Sequence, residues 1–297
     1  PIDFLAKKKV FFTISLVLIA AGVITIGVNA GRGKGAFAYS LEFQGGTSTN
    51  VTFDKDYSID EIDKEIVPVV EKVTGDNNVQ TQKVAGTNQV IIKTVTLDLD
   101  KREALNKAMV DNFGVDESKI TAENISSTVS NEMRRDAVIA VVIATICMLL
   151  YIWFRFKDIR FATSAVLALL HDVLVVVGFY AIARISVGNT FIACMLTIVG
   201  YSINATIVIF DRIREEMRGK TKSSDVAAVV NKSITQTLTR SIYTSLTTFI
   251  MVAVLYVMGV SSIKEFALPL MVGVVCGAYS SVCITGALWY VMKRFKK

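Results

Sequence analysis

The sequence predicts a polytopic α-helical membrane protein with six transmembrane helices and one α+β domain inserted between the first two. Three observations carry this. Hydrophobic residues make up 52% of the 297 residues and the mean hydropathy is +0.50, outside the range of soluble globular chains. Six mainly apolar runs, at about 10–28, 137–154, 161–183, 190–210, 241–260 and 265–292, are each long enough to cross a hydrocarbon core of roughly 30 Å. Lysine and arginine gather at alternate ends of those runs, as in a threaded membrane chain.

The basic clusters set the orientation. Lys7, Lys8 and Lys9 precede the first run, and Arg155, Lys157 and Arg160 fill the second-to-third turn. Arg212, Arg214, Arg218, Lys220, Lys222 and Lys232 populate the fourth-to-fifth loop, and Lys293, Arg294, Lys296 and Lys297 close the chain. All four clusters fall on one side, which the positive-inside rule assigns to the cytoplasm, while the opposite short loops carry only Arg184 and Lys264. Both termini are then cytoplasmic and the insert is external. The expected domains are 1–28 (cytoplasmic start and first span), 29–136 (external domain) and 137–297 (a five-helix bundle with basic loops).

Charge divides the same way. Residues 29–136 carry −5, and the rest carries +11 of the net +6, so the basicity is topological and no nucleic-acid partner is needed. Cys147, Cys194, Cys276 and Cys283 all fall in the apolar runs. They read as small core residues, and the insert has no disulfide framework. The first run follows three lysines as a signal peptide does, but its length and the lack of a small-residue cleavage pattern before Arg32 favour a retained span. The chain opens at Pro1 with no methionine, so a processed or missing N-terminus is expected.

Within the insert, "LEFQGGTSTNVTFD" alternates like a strand, with Gly45-Gly46 marking a bulge or close backbone approach. Ser58 followed by Glu61 is a capping box, and Ile59, Ile62, Ile66 and Val70 follow at helical spacing up to Gly75. "NNVQTQKVAG" and "NQVIIKTVTLD" read as a hairpin, a second helix covers about 101–112, and "SKITAENISS" supplies a fourth strand. The order β-α-β-β-α-β is that of a ferredoxin-like sandwich. The acidic group Asp54, Asp56, Asp60, Glu61, Asp63 and Glu65 lacks EF-hand spacing and reads as a solvated face rather than a calcium site.

Polar residues at membrane depth are costly and therefore candidates for function. Asp172, beside His171, sits mid-run in the third span. Two readings stay open for it: bonding to hydroxyls of a neighbouring helix, or a place on a proton pathway. Arg240 is near enough to the cytoplasmic end of the fifth span to snorkel, but Gln236, Thr237, Arg240, Thr244, Thr247 and Thr248 recur at three- and four-residue intervals. They form one polar face. Thr197, Tyr201 and Asn204 form a matching stripe on the fourth span, with Ala205 one turn beyond Tyr201, so the two spans are expected to enclose a polar seam.

The motifs "GYSINATIVIFDRIREEMR", "NKSITQTLTRSIYTSLTT", "FQGGT" and "HDVLVVVGF" resemble the SecF family, the smaller subunit of the SecD–SecF export complex in the RND superfamily, over essentially the whole chain. The resemblance implies an RND-like half that pairs with SecD beside a SecYEG-type translocon. It implies use of the proton-motive force to help draw preproteins outward across the bacterial plasma (inner) membrane, with no cofactor. By position, Arg240 matches the family's fifth-span arginine, Asn204 its asparagine, Asp172 the aspartate after its histidine, and Asp211 the acidic residue at the cytoplasmic end of the fourth span. The family pattern reads Ser-Ile-Asn-Asp-Thr; here the aspartate position is Ala205. Two readings stay open for that departure: a natural variant whose proton carrier is supplied by SecD, or an engineered substitution.

Two other functions compete with this one. An RND-type exporter of small molecules or lipids usually carries large paired external domains, and this chain has a single modest one. An intramembrane aspartyl protease needs two carboxylates meeting at depth, and Asp211 heads the charged segment "DRIREEMR" instead. No catalytic constellation or metal site is expected, and the partners expected are SecD, the translocon, the preprotein and lipids.

Overall fold

A computed structural model describes residues 3–32, 35–77, 79–84, 86–218, 225–259 and 261–294. Lys220, Lys222, Lys296 and Lys297, four of the residues that set the expected orientation, lie outside them. The chain divides into two compact units, one of residues 1–38 with 139–297 and one of residues 39–138.

Among the described residues, six helices are long and apolar enough to cross a membrane: Lys8–Gly31, Ser127–Phe156, Ile159–Ala183, Asn189–Met217, Val226–Met258 and Ile263–Lys293. The second and fifth start well before the apolar runs at 137 and 241 predicted, because a polar first stretch still folds as helix when its first turn is capped. Asp225 does this for the fifth span by accepting the Ala227 N–H, and Ser126 does it for the second by accepting the Val129 N–H at 3.3 Å. The third span ends at Arg184, in the left-handed region at φ 52°.

The third, fourth and sixth spans form the packed centre, and the first, second and fifth are mostly exposed along their apolar stretches. The sixth packs against the third, fourth and fifth. At the end of the bundle that carries the basic loops, Phe161 stacks on Trp289 at 4.8 Å between ring centres and meets Phe210 edge-on at 4.7 Å. Ile209, Ile213, Val230 and Ile234 close the layer. The first span is held to the third through glycines: a Cβ on Gly22 would lie 2.7 Å from the Gly178 Cα. Hydroxyls that face this interior mostly bond within the chain, as Tyr279 does by donating to the Phe11 carbonyl at 2.7 Å. The sixth span contains a π-turn at Ser281–Thr285, where the Thr285 hydroxyl donates to the Ser280 carbonyl at 3.0 Å.

The inserted unit is an antiparallel four-stranded sheet with helices. Its strands are β1 (Gly46–Thr52), β2 (Gln80–Lys83), β3 (Gln89–Thr94) and β4 (Ile120–Ile125), in the order β2-β3-β1-β4. Thr49 faces both Ile92 and Ala122 across the central strand. Both halves of the Ser58–Glu61 capping box form, and the helix it starts passes through a π-turn at Ile62–Ile66 before Val67–Thr74. Ile62, Ile66 and Val70 are buried with Leu105 and Met109 from the second helix, Leu99–Phe113. Ile59, expected on the same face, is 68% exposed because it lies in the first turn, before the helix reaches the sheet. At Gly46 the backbone runs so close to the Thr94 carbonyl oxygen that any Cβ would overlap it, and φ is +116°. Gly46 is thus a steric requirement of the β1–β3 approach, and Gly45 is favoured beside it by its own positive φ of 72°. The acidic group is dispersed into exposed ion pairs, Asp54 with Lys119, Asp56 with Lys83 and Glu61 with Lys55.

Candidate functional site: a polar crevice between the fourth and fifth spans

The fourth and fifth spans meet along two adjoining cavities. The deeper one, about 90 Å³, is lined by Tyr201, Asn204, Ala205, Val208, Arg240, Ser241, Thr244 and Ser245. The expected seam therefore brings Arg240, Asn204, Ala205, Thr244 and Tyr201 together. Thr197, Thr247 and Thr248 are not among its lining residues; their hydroxyls donate to the carbonyls of Ala193, Tyr243 and Thr244 on their own helices. Such local bonds let a helix carry hydroxyls through lipid with nothing left unpaired.

Inside the crevice the Tyr201 hydroxyl donates to Ser245 Oγ at 2.6 Å, and Ser245 donates in turn to the Ser241 carbonyl at 2.8 Å. Thr244 donates to the backbone carbonyl of Arg240 at 2.8 Å rather than to a neighbouring side chain. Arg240 and Asn204 are exposed. Among the described residues the Arg240 guanidinium has no ion pair. Ala205, one turn from Tyr201, contributes a methyl group to the same lining.

The second cavity, about 440 Å³, lies at the Asp211 end and is lined by Asp211, Arg212, Glu215, Gln236 and Thr237, together with Val208 and Arg240. Asp211 is paired with Arg155 at 2.6 Å. Arg212 reaches Gln236 at 2.7 Å, Glu215 at 2.6 Å and Glu216 at 2.9 Å, and Lys232 closes the set on Glu216 at 2.8 Å. The long fifth helix makes this possible, since its extra turns carry Lys232 and Gln236 alongside the end of the fourth.

Asp172 is placed elsewhere. It is fully buried and belongs to neither cavity's lining. Ser202 donates to its Oδ2 at 2.5 Å and Ser280 at 2.7 Å, Cys276 donates to Oδ1 at 3.3 Å, and His171 Nδ1 lies 2.9 Å from Oδ1. One carboxyl group thus ties the third, fourth and sixth spans together, immediately before the π-turn. His171, Asp172 and Cys276 are the one set of three potential metal-ligating side chains that converge among the described residues. Asp172 and Asp211 do not meet: one is enclosed by hydroxyls and a thiol, the other sits in an ion pair at the far end of the fourth span.

The sequence reading missed Ser202, Ser280 and Cys276 as partners of Asp172. Helical spacing would have put Ser280 four residues from Cys276 on one face, but nothing in one sequence says which face meets which. Cys276 reads from sequence as a small core residue, and the structure adds its contact with Asp172.

Residues 105–295 match the family described as protein export membrane protein SecD/SecF, C-terminal. The protein translocase subunit SecF of Petrotoga mobilis is 36% identical over all of this chain and 98% of that protein. The chain belongs to the SecF family. The SecF of Sebaldella termitidis is likewise 36% identical, over 98% of this chain and 91% of that protein. The SecDF of Bacillus subtilis is 35% identical over 98% of this chain, which spans 38% of that longer protein. Among solved structures, SecDF from Thermus thermophilus, described as a translocon-associated membrane protein, matches with a TM-score of 0.83 at 30% identity, over 99% of this chain and 39% of that one. The SecF-family sequence and the six-helix architecture thus agree over the whole chain.

Proposed function

We propose that the chain works as the SecF-type subunit of bacterial Sec protein translocation, together with SecD, and couples the proton-motive force to a late stage of preprotein export. The observation that carries the coupling is Arg240: a cation in a polar crevice, exposed on the bundle and without an anion among the described residues. An uncompensated arginine at membrane depth costs at least ~2.5–3.5 kcal/mol. A carboxylate from SecD, covering the crevice, removes that cost, with Asn204 and Tyr201 lining the contact. Protonation of that carboxylate weakens its hold on Arg240, so proton entry separates the two halves and proton loss rejoins them. Fusion of SecD and SecF in relatives such as the Bacillus protein supports SecD as the partner.

The subunit has an accessory role and no catalytic constellation. Its place is the bacterial plasma membrane, with termini on the cytoplasmic side and the inserted domain outside, as the positions of the basic residues support. The inserted domain, over about 29–136, is read as ferredoxin-like, supported by its all-antiparallel order β2-β3-β1-β4. The translocon, the preprotein and lipids are the remaining partners. Asp172 acts in this scheme by binding the third, fourth and sixth spans into one body that moves against SecD. The exporter reading is not favoured, since relatives matched over nearly their full length are named as translocase subunits.

Affinity purification of the tagged chain from its own membranes tests the assignment. SecD and translocon subunits are expected to copurify. Recovery of the chain alone, under conditions that preserve the translocon, would contradict it.

A further inference from the structure

Two spans bring three metal-ligating side chains to one point inside the bundle. His171 and Asp172 are neighbours on the third span, and Cys276 meets them from the sixth. Cys276 stands 105 residues beyond His171 in sequence, so no spacing motif announces the group. All three are buried, with exposures of 7%, 0% and 7%. Asp172 Oδ1 lies 2.9 Å from His171 Nδ1 and 3.3 Å from Cys276 Sγ, and the nitrogen and sulfur are 3.9 Å apart. The point equidistant from these atoms lies about 2.0 Å from each, against zinc bonds of about 2.0–2.1 Å to nitrogen, about 2.0–2.2 Å to oxygen and about 2.3 Å to sulfur. An ion fits there with little movement beyond a slight withdrawal of the sulfur.

The donor set and the charge agree with this. Imidazole, thiolate and carboxylate suit a borderline-soft divalent ion such as zinc, whereas magnesium and calcium take oxygen ligands. Inside a membrane bundle a charge is tolerated only where other charges cancel it. One divalent ion, one thiolate and one carboxylate sum to zero around a neutral imidazole. Binding displaces the Cys276 thiol proton, and the hydrogen bond between His171 and Asp172 gives way to two coordinate bonds. The second carboxylate oxygen, Oδ2, accepts from Ser202 and Ser280, the outer-shell support that orients a ligating carboxylate. Ligation through Nδ1 puts the ring proton on Nε2, which is buried without a partner among the described residues. One unpaired N–H is a small cost beside three bonds to a divalent ion.

We propose that His171, Asp172 and Cys276 form a binding site for a zinc-like divalent transition-metal ion, which staples the third span to the sixth. Three protein ligands leave one tetrahedral position for a small oxygen ligand. The site is independent of the coupling assigned to Arg240. It shares no residue with the lining of either seam cavity and needs nothing from SecD.

Cobalt(II) tests this, because a thiolate on tetrahedral cobalt gives an intense near-ultraviolet charge-transfer band and strong visible d–d bands. The full chain, with a purification tag free of histidine and cysteine, is produced in zinc-depleted medium with added cobalt(II), since so enclosed a site is loaded as the chain folds. One cobalt per chain and both sets of bands are expected. Cys276→Ala should lose the charge-transfer band, while Cys283→Ala, at the other cysteine of the sixth span, should keep it. Ser280→Ala removes a bond to Oδ2 but no ligand, and should weaken the hold on cobalt about ten- to hundredfold in competition with a chelator. Size exclusion in detergent shows that each variant is folded. The proposal is overturned if the unsubstituted chain retains no cobalt, if it retains cobalt without the charge-transfer band, which marks an adventitious ion only, or if the band survives Cys276→Ala. The first two outcomes need no variant, so a misfolded substitution does not protect the idea. None of these readouts involves export, so the site and the role of Arg240 in coupling fail separately.

Discussion

Asp172 shows how a single side chain in a membrane can serve structure through its hydrogen bonds. Four groups, two hydroxyls, a thiol and an imidazole nitrogen, converge on its two oxygens, and a full set of partners is what makes a buried acidic residue tolerable. Asp172→Asn keeps the size but replaces one acceptor oxygen with a donor. It should therefore cost about 1–3 kcal/mol, the price of leaving a buried donor unpaired, read as a lower midpoint of thermal unfolding in detergent. An unchanged midpoint would mean that the carboxyl group does not tie the three spans. A second residue-scale prediction concerns Glu61. Its bond from Lys55, then those from Ser58, hold its carboxyl at about 2 against an ordinary 4.5. A lowered folded value stabilises above the unfolded one, so this contribution is complete above about pH 4.5 and is lost as pH falls toward about 2. Glu61→Gln should flatten that part of the inserted domain's acid unfolding curve, followed by amide exchange, and an unaltered curve would show that the capping box does not matter there.

At the scale of elements, the six spans were legible because a run of apolar residues has a length requirement that needs no knowledge of neighbours. Their ends were not. The apolar run of the fifth starts near 241, but its helix begins at Val226, since Asp225 caps a polar stretch that then pairs with the end of the fourth span. The capping box, the glycine stops at Gly75 and Gly114, and most of each strand of the insert are readable for the same local reason, but Leu41–Gln44, expected to open the first strand, forms a helical turn that ends at Gly45. Which helices touch is a different matter. The polar faces of the fourth and fifth spans could be matched because both are unusual, whereas Ser202 and Ser280 look like any serine in a packed helix until Asp172 is seen between them. Gly22 and Gly178 illustrate the same limit, because their importance exists only at the crossing. Gly22→Val adds a branched side chain where a Cβ already falls 2.7 Å from Gly178. It should destabilise the bundle by about 1–3 kcal/mol, as overpacking does, and lower the yield of folded protein in a detergent size-exclusion assay. Gly27, with open space around its Cβ position, is the control and should tolerate the same change.

On the scale of the whole molecule, the six spans form a membrane bundle with a polar crevice on one flank and a packed centre of the third, fourth and sixth spans. Its buried acid accepts four contacts, and among the described residues its seam arginine has no ion pair. That asymmetry supports a structural role for Asp172 and the proposed coupling role for Arg240, and Ala205 adds only a methyl group to the crevice that Arg240 lines. The direct measurement is preprotein export into inverted vesicles with and without a proton gradient, comparing the unsubstituted chain with Arg240→Ala, Arg240→Lys and Ala205→Asp. Arg240→Ala is expected to abolish the gradient-dependent part of export while leaving the gradient-independent part intact, and Arg240→Lys to keep some of it because the charge remains. Ala205→Asp should raise gradient dependence if SecD alone does not supply enough titrating groups, and should leave it unchanged if SecD does. Gradient-dependent export that survives Arg240→Ala at its full rate would contradict the account, and would make the arginine an anchor at the membrane surface.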